Sequence, residues 1–469
     1  MGASIPIALA SNNRSGFPRA RLLNCLTEKS PTKPDQIDAI IARACLAAFE
    51  QVGTAPIRGV FTKSGLLGDR AFIVAKDTAY LVSSGGAVTA LTGTIAGDGL
   101  VEIDGGLDAD GNSVIRFTNG TQLYEHVSSG TTVVEETDYP GLGGAASVAF
   151  WSGYWLAPDA GSDYTYYQEP GSGSWTALEF AAAEYRPDPL KGVRVLGDQA
   201  FLMGAATVEP WYLTGNSSDP MGPTAGLKFD VGCRAIAAAV VCKTALIWVT
   251  DDCAVVMSEG GAPRLISDNG LVEQIRRTAA ADLSATFFIQ DGHPCYVLHL
   301  GTSGTWVYDL SSQRWSEFSS LGYDYWRPRF LANLGETVLA ADRNSNQTWL
   351  LDPDSGTDAG VAVPKQFDAF VTVPEGSIIL GSIELDCLRG DAPTSDPDDE
   401  SIMSLQISRD DGASWSSPRE RGLGVRGART VRPRWNGLGQ VRAPGAILRF
   451  SCSGPGRFRV SGVRANVAA

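Results

Sequence analysis

The sequence predicts an all-β fold: a β-propeller of about six to seven blades, with an N-terminal arm and a C-terminal β-sandwich. Three observations predict it: dispersed Gly and Pro, a repeat of about 43 residues, and a change of pattern after about residue 363. The chain holds 53 glycines and 25 prolines in 469 residues. They are scattered singly, the way short strands separated by tight turns are encoded, and they exclude a long helical bundle. With 41 aromatic residues and only 19% charged residues the chain has ample core material, which excludes disorder.

The repeat is anchored at Leu81, Tyr124, Tyr167, Tyr212, Val256, Val307 and Leu350, with separations of 43, 43, 45, 44, 51 and 43. An apolar partner precedes each anchor, from AFIV at Ala71 through SVIRF, GYWL, AFLM, ALIWV and CYVLHL to TVLAA at Thr337. That spacing makes hairpins. A third segment trails several pairs, as in VTALTG at Val88, WTALEF at Trp175 and RWSEF at Arg314. A fourth precedes several, as in RGVF at Arg58 and ATFFI at Ala285. Four short strands in about 43 residues match a propeller blade. A lone meander with two partly apolar faces leaves both uncovered, and like blades stacked in a ring cover them. The unit around Tyr212 lacks a clear trailing strand, so six and seven blades both fit. In the kelch-like TWVYDLSSQRWSEF (305–318), Trp315 is expected to return and pack across the Tyr308–Asp309 strand end.

The ends differ. Residues 1–56 carry no such unit and are read as an arm, 57–362 as the propeller and 363–469 as the sandwich. In DQIDAIIARACLAAFEQ (35–51) the apolar positions fall at helical spacing behind Pro34 and before Gly53, predicting a short amphipathic helix. Beyond about Val363, segments such as IILGSIELDCL and RFRVSGVRANV alternate apolar with polar or Arg residues, as in a sandwich buried on one face. GDAPTSDPDDES (390–401), rich in acids and Pro, reads as an exposed mobile loop.

Chemistry is sparse. Only three histidines occur, His126, His293 and His299, and no H-E-x-x-H, G-x-S-x-G or Walker A pattern is present. His299, beside Val297 in a strand pattern, reads as a core or rim residue. The eight cysteines lie far apart without a C-x-x-C pair and read as buried thiols; no metal and no cofactor is expected. No run reaches the roughly 18 apolar residues of a membrane helix, and Met1–Ala10 lacks the basic start of a secretory signal. SRDDGASW (408–415) fits the Asp-box pattern of sialidases and other propellers. Asp410 is expected to accept turn N–H bonds, Ser408 to open the motif, Gly412 to supply a positive φ and Trp415 to pack beneath. It motivates one alternative, a sialidase-like glycan-cleaving propeller; a kelch-like protein-binding adaptor is another.

Charge is segregated. Residues 91–180 hold thirteen acids and one base, Arg116, a net of −12. Residues 401–469 hold twelve arginines and three acids, a net of +9. The plain reading is two solvated surfaces that attract each other. The sharper one is an acidic body repelling a sliding polyanion and an Arg-rich body docking a partner.

Over nearly its whole length the chain resembles the packaged-DNA stabilisation proteins of short-tailed bacteriophages, the tail hub or nozzle family. RARLLNCLTEKSP (19–31), PIRGVF (56–61), SWTALEFAAAEYRPDPLKGV (174–193), TVEPWYLTGNSSDP (207–220), VGCRA (231–235), TWVYDLSSQRWSEF, ISRDDGASWS and RPRWNGLGQVR (432–442) carry the likeness. None is a catalytic signature. The helix expected at 35–51 departs from the extended entry of that family. The resemblance implies a structural virion component without turnover, assembled in the host cytoplasm: a homo-hexameric ring below the portal and adaptor rings. Such a ring retains packaged DNA, passes the genome through its lumen without sequence-specific binding, and docks fibre, spike or needle proteins. On that footing Asp98, Glu102, Asp104, Asp108 and Asp110 are candidate channel-lining acids. Arg426, Arg429, Arg432, Arg434 and Arg442 are candidate interface arginines.

Overall fold

The strand Ala71–Ala75 is apolar at every position and wholly buried. A strand covered on one face would alternate; an unbroken apolar run means cover on both. Its Phe72 and Val74 pack toward the following blade, and Ala71, Ile73 and Ala75 toward the blade that closes the ring. The same two-sided burial recurs in Ala245–Val249, His293–Leu300 and Thr305–Asp309.

The computed structural model describes residues 2–7, 11, 20–29, 37–183, 185–186, 188–392 and 398–468. Seven four-stranded antiparallel meanders follow one another. Blade 1 runs from Ile57–Phe61 to Val88–Ala90, blade 2 from Glu102–Leu107 to Val133–Glu135, and blade 3 from Ala149–Trp151 to Phe180–Ala182. Blade 4 runs from Leu190–Leu196 to Asp219–Pro223, blade 5 from Val240–Cys242 to Arg264–Leu265, and blade 6 from Leu283–Gln290 to Arg314–Glu317. Seven hydrophobic clusters fill the seven inter-blade interfaces, one each, and an eighth fills the sandwich. All seven sequence anchors lie in the third strand of their blades. The long spacing of 51 accommodates the helix Asn269–Arg277, which lies between blades 5 and 6 and is capped by Asp268 accepting from Leu271 N at 2.9 Å.

Blade 7 is assembled differently. It takes three strands, Pro328–Leu334, Thr337–Asp342 and Gln347–Asp352, from its own place in the chain and its outermost, Cys45–Gln51, from the N-terminal region. The pairing is antiparallel, Leu351 to Leu46 and Trp349 to Ala48. The helix expected over 35–51 is therefore overturned: residues 37–51 form two strands, Ile37–Ala42 in the sandwich and Cys45–Gln51 in the propeller, while 35 and 36 lie outside the described residues. Apolar spacing of three and four is ambiguous in so short a run, and the tertiary demand of two open sheet edges overrides the helix propensity of its alanines.

The sandwich packs two sheets. One has the order Cys25–Lys29, Ile37–Ala42, Arg459–Ala468, Ser377–Cys387, Arg434–Arg442, with Gly2–Ile5 also pairing with Arg459–Ala468. The other holds Lys365–Thr372, Gly445–Ser453, Ile402–Ser408 and Arg419–Gly422. The two-residue strand Leu22–Leu23 joins Lys365–Thr372 to the outer strand of blade 6, so a single nine-stranded sheet runs from propeller to sandwich. The strands described between residues 2 and 51 are thus shared between the two bodies. The centre of the segment read as a mobile loop, 393–397, lies outside the described residues.

Arg43 sits at the turn between the two N-terminal strands and is 2% exposed. It ion-pairs with Asp358 at 2.6 Å and donates to Asn24 Oδ1, Ala44 O and Ser319 O. Its guanidinium also lies 5.2 Å from the Trp326 ring. Truncating one partner of a buried pair leaves an uncompensated charge, so Arg43→Met should lower stability by about 3–5 kcal/mol. The check is the midpoint of urea unfolding, which an unimportant contact would leave unmoved.

Candidate channel and docking surfaces

The first strands of the seven blades surround the propeller axis and line a cavity of about 490 Å³. Its wall mixes apolar side chains, among them Val60, Phe150, Val195, Val241, Phe287 and Leu331, with polar groups in similar measure. That volume belongs to the range of small-molecule pockets, so the axis of one propeller does not pass a duplex.

Of the five candidate channel acids, two face this axis and both are engaged. Glu102 pairs with Arg194 at 2.6 Å, whose Nε and Nη2 also donate to Ala239 O and Ile236 O. Asp104 lies 3.6 Å from Lys63 Nζ and accepts from Phe150 N at 2.8 Å. The other three are separated by the strand itself. Asp98 precedes the first strand of blade 2 and is exposed on one face of the propeller; Asp108 and Asp110 follow that strand, on the opposite face. Asp108 accepts from Asn112 Nδ2, Asn112 N and Asp110 N, and these hydrogen bonds, the Asn112 side chain first, hold its pKa below the usual value.

Acids of blade 2 also build a buried knot that sequence reading did not find. Arg116, 5% exposed, meets Glu125 at 2.7 Å and Glu136 at 2.8 Å and lies 4.8 Å from the Trp155 ring of blade 3. Burial, opposed by Arg116 but reinforced by Glu125, pushes Glu136 up from 4.5 to about 7.

The candidate interface arginines are spread over one side of the sandwich. Arg434 donates to Ser382 Oγ at 2.8 Å, Arg432 lies 3.5 Å from Glu384, and Arg426 donates to Ala392 O at 2.8 Å. Arg429 and Arg442 make no ion pair among the described residues, and both are exposed. Three further arginines were missed. Strand Arg434–Arg442 is a sheet edge, and its outward carbonyls are covered from the facing sheet. Arg409 donates to Leu438 O and Gln440 O, Arg419 to Asn436 O and Gly437 O, and Arg421 to Arg434 O. The acceptors at 434, 436, 437, 438 and 440 lie along the strand that has no neighbour on its outer side, across the bulge at 437–438. Side-chain donors there close an edge otherwise open to strand addition. The alternation of Arg and apolar residues in the sequence signals a one-sided strand and says nothing of which edge needs cover.

The Asp-box residues form a hairpin turn between Ile402–Ser408 and Arg419–Gly422. Ser408 Oγ donates to Asp410 Oδ1 at 2.8 Å, Gly412 N donates to Ser408 Oγ at 2.8 Å, and Asp410 accepts from Ser414 N and Oγ. Those bonds, the Ser414 hydroxyl first, bring Asp410 down to about 2. Gly412 has φ +91°. Trp415 is half-buried and lies under the Arg449 guanidinium at 3.7 Å, in a cleft of about 370 Å³ between sandwich and blade 6 that Trp306 and Arg21 also line.

The motif-bearing stretches are structural locks. Arg58, 1% exposed, donates to Gly99 O, Lys76 O and Ala96 O. Asp188 accepts from Ala206 N and from Thr207 N and Oγ1. Asp309 accepts from Ser311 N and binds His293 Nδ1 at 2.9 Å, and Trp315 packs at a tilt with its ring 5.1 Å from that of Tyr308. His299 is fully buried, and burial drives its pKa well down. All eight cysteines are free and buried. No group of three His, Cys, Asp or Glu that could hold a metal occurs among the described residues. No helix among them is long and apolar enough to cross a membrane.

Comparisons with known proteins agree with this architecture. Residues 49–356 match the family model described as bacteriophage P22 Gp10, beta-propeller, and residues 366–468 match bacteriophage P22 Gp10, beta-sandwich. Matches of both bodies to models of one phage family make this a phage structural protein. The chain belongs to the bacteriophage P22 Gp10 family, a family of phage stabilisation proteins. No curated protein matches it. Among solved structures it is similar to virginiamycin B lyase from Staphylococcus aureus, at 11% identity, TM-score 0.44, over 63% of this chain and 94% of that one. It is also similar to a streptogramin B lyase, at 10% identity, TM-score 0.46, over 66% and 97%. Likenesses this low carry no inference about activity.

For Glu136 the folded-state pKa lies above the unfolded one, so the native state holds the extra proton between about pH 4.5 and about 7. Stability contributed by that proton is lost as pH rises through this window. Glu136→Gln should flatten the fall, and thermal melts of both proteins from pH 4.5 to 8 check it; parallel profiles would contradict the assignment.

Proposed function

We propose that this protein is a structural component of a phage tail, a hub or nozzle ring that extends the DNA channel below portal and adaptor, retains the packaged genome and docks distal tail parts. The observation that carries the reading is the match of both folded bodies to one phage stabilisation family. In this reading several copies, six by family resemblance, surround the conduit. The axial cavity of one propeller is too small for a duplex, so the lumen is the space between copies. Acids on the lumen wall repel phosphates and leave a passing duplex nothing to adhere to. Both axis-facing carboxylates, Glu102 and Asp104, lie against cations, which favours exposed acids for that role.

Asp98 and Asp110 lie on opposite faces of the propeller, so a lumen bounded by one propeller face takes only one of them. Virions carrying Asp98→Lys and virions carrying Asp110→Lys are therefore expected to differ: one substitution slows DNA ejection and the other leaves it unchanged. Particles assembled without the protein are expected to fill with DNA and then lose it, measured as nuclease-sensitive genome. Full retention in such particles would overturn the reading.

A further inference from the structure

The exposed arginines on the closing edge of the sandwich and the acids of blades 2 and 3 lie too far apart to neutralise each other within one molecule, although acids of residues 363–400 leave the sandwich as a whole at only +2. The sandwich is attached at blades 6 and 7, through Leu22–Leu23 on the outer strand of blade 6 and Cys45–Gln51 in blade 7. The inner strands touch in ring order from blade 1 to blade 7 and back to blade 1. Three steps either way around a seven-membered ring lead from blade 6 to blades 2 and 3, which carry the acidic stretch. The plain reading of mutual attraction thus fails inside one chain and holds only between chains.

Each surface is built to be met. Along the closing edge of the sandwich Arg409, Arg419, Arg421, Arg432, Arg434 and Arg442 are all exposed. Three of them spend their donors on backbone carbonyls, which are neutral, so their charge stays uncompensated. Because those carbonyls are covered, recognition at this edge must go through side chains and not through added strands. The outer strands of blades 2 and 3 present Val134, Glu135 and Phe180, and the loops beside them add Asp138, half-buried Glu169 and Leu178; Leu178 is 89% exposed, Val134 58% and Phe180 44%. Exposed Tyr164 and Phe180, 4.9 Å apart, are faces on which guanidinium groups stack.

We infer that the arginine stripe of the sandwich docks on the acidic, aromatic outer rim of blades 2 and 3 of a second copy of this chain. The inference rests on the ring reading above and names the surfaces that would join its subunits. Different surfaces meet at such a contact, so it is head-to-tail, and repeating it yields a closed ring or an open filament. Nucleic acid is the less favoured occupant, because half of the stripe's arginines already hold carbonyls and lack free forks for bidentate phosphate binding.

The test is a charge swap in the full-length protein, read by native mass at low ionic strength. Arg432→Glu with Arg442→Glu gives one variant; Glu135→Arg with Glu169→Arg gives the other. None of these side chains is buried, and circular dichroism confirms folding. Each variant alone should associate about tenfold more weakly than the parent, or worse. An equimolar mixture should recover association, since each then presents the sign that the other lacks. Three results overturn the inference: variants that associate like the parent, parent and mixture that remain monomeric, or a stripe reversal that abolishes binding of a DNA duplex while leaving self-association intact. Genome retention in particles decides the tail reading separately, so the two failures are distinguishable.

Discussion

The structure depends on one constraint: the propeller closes only when a strand from the start of the chain completes its last blade. A meander missing its outer strand exposes both an edge and the apolar face beneath it. Cys45–Gln51 removes that edge, buries Leu46 against Trp349 and Val338, and places Arg43 against Asp358. The same N-terminal region supplies Leu22–Leu23, which fuses blade 6 to the sandwich, and Cys25–Lys29 and Ile37–Ala42, which widen the sandwich sheet. One short stretch therefore ties together the beginning, middle and end of the chain. A ring fastened in this way costs little further conformational entropy when it joins an assembly, because its parts are already fixed.

Arginine does three kinds of work in the fold. Arg43, Arg58 and Arg116 are buried clamps, met by carboxylates, by carbonyls or by both. Arg409, Arg419 and Arg421 cover the carbonyls of an exposed edge, so they seal the sheet while leaving its surface positively charged. Arg442 stands in water, and Arg432, also exposed, lies beside Glu384. The planar, permanently charged fork explains why arginine and not lysine fills these places. The result is an arginine-lined edge on the sandwich and two acidic blades placed far from it around a rigid ring.

Much of this was legible in the sequence because a blade is local. Anchors such as Tyr124 and Val307 lie in third strands, and the unusual spacing of 51 marks the helix inserted before blade 6. What was illegible is what depends on distant partners. DQIDAIIARACLAAFEQ reads as a helix until the open edge of blade 7, some 300 residues later, is taken into account. The last strand of blade 4, DPMGP, was hidden by two prolines, which an edge strand tolerates. WTALEF is not itself the outer strand of blade 3: Trp175 fills the interface with blade 2 and the strand begins at Phe180. For the charged surfaces, net charge by segment located the two bodies. Pairing of Glu102 with Arg194 and the covering of strand Arg434–Arg442 required three dimensions.

Native-state hydrogen exchange tests the closure most directly. If the ring depends on its N-terminal strand, the amides of Cys45–Gln51 and of Gln347–Asp352 exchange together, and only through the opening that unfolds the whole propeller. Exchange of Cys45–Gln51 through a low-energy local opening, with the other six blades still protected, would contradict the account.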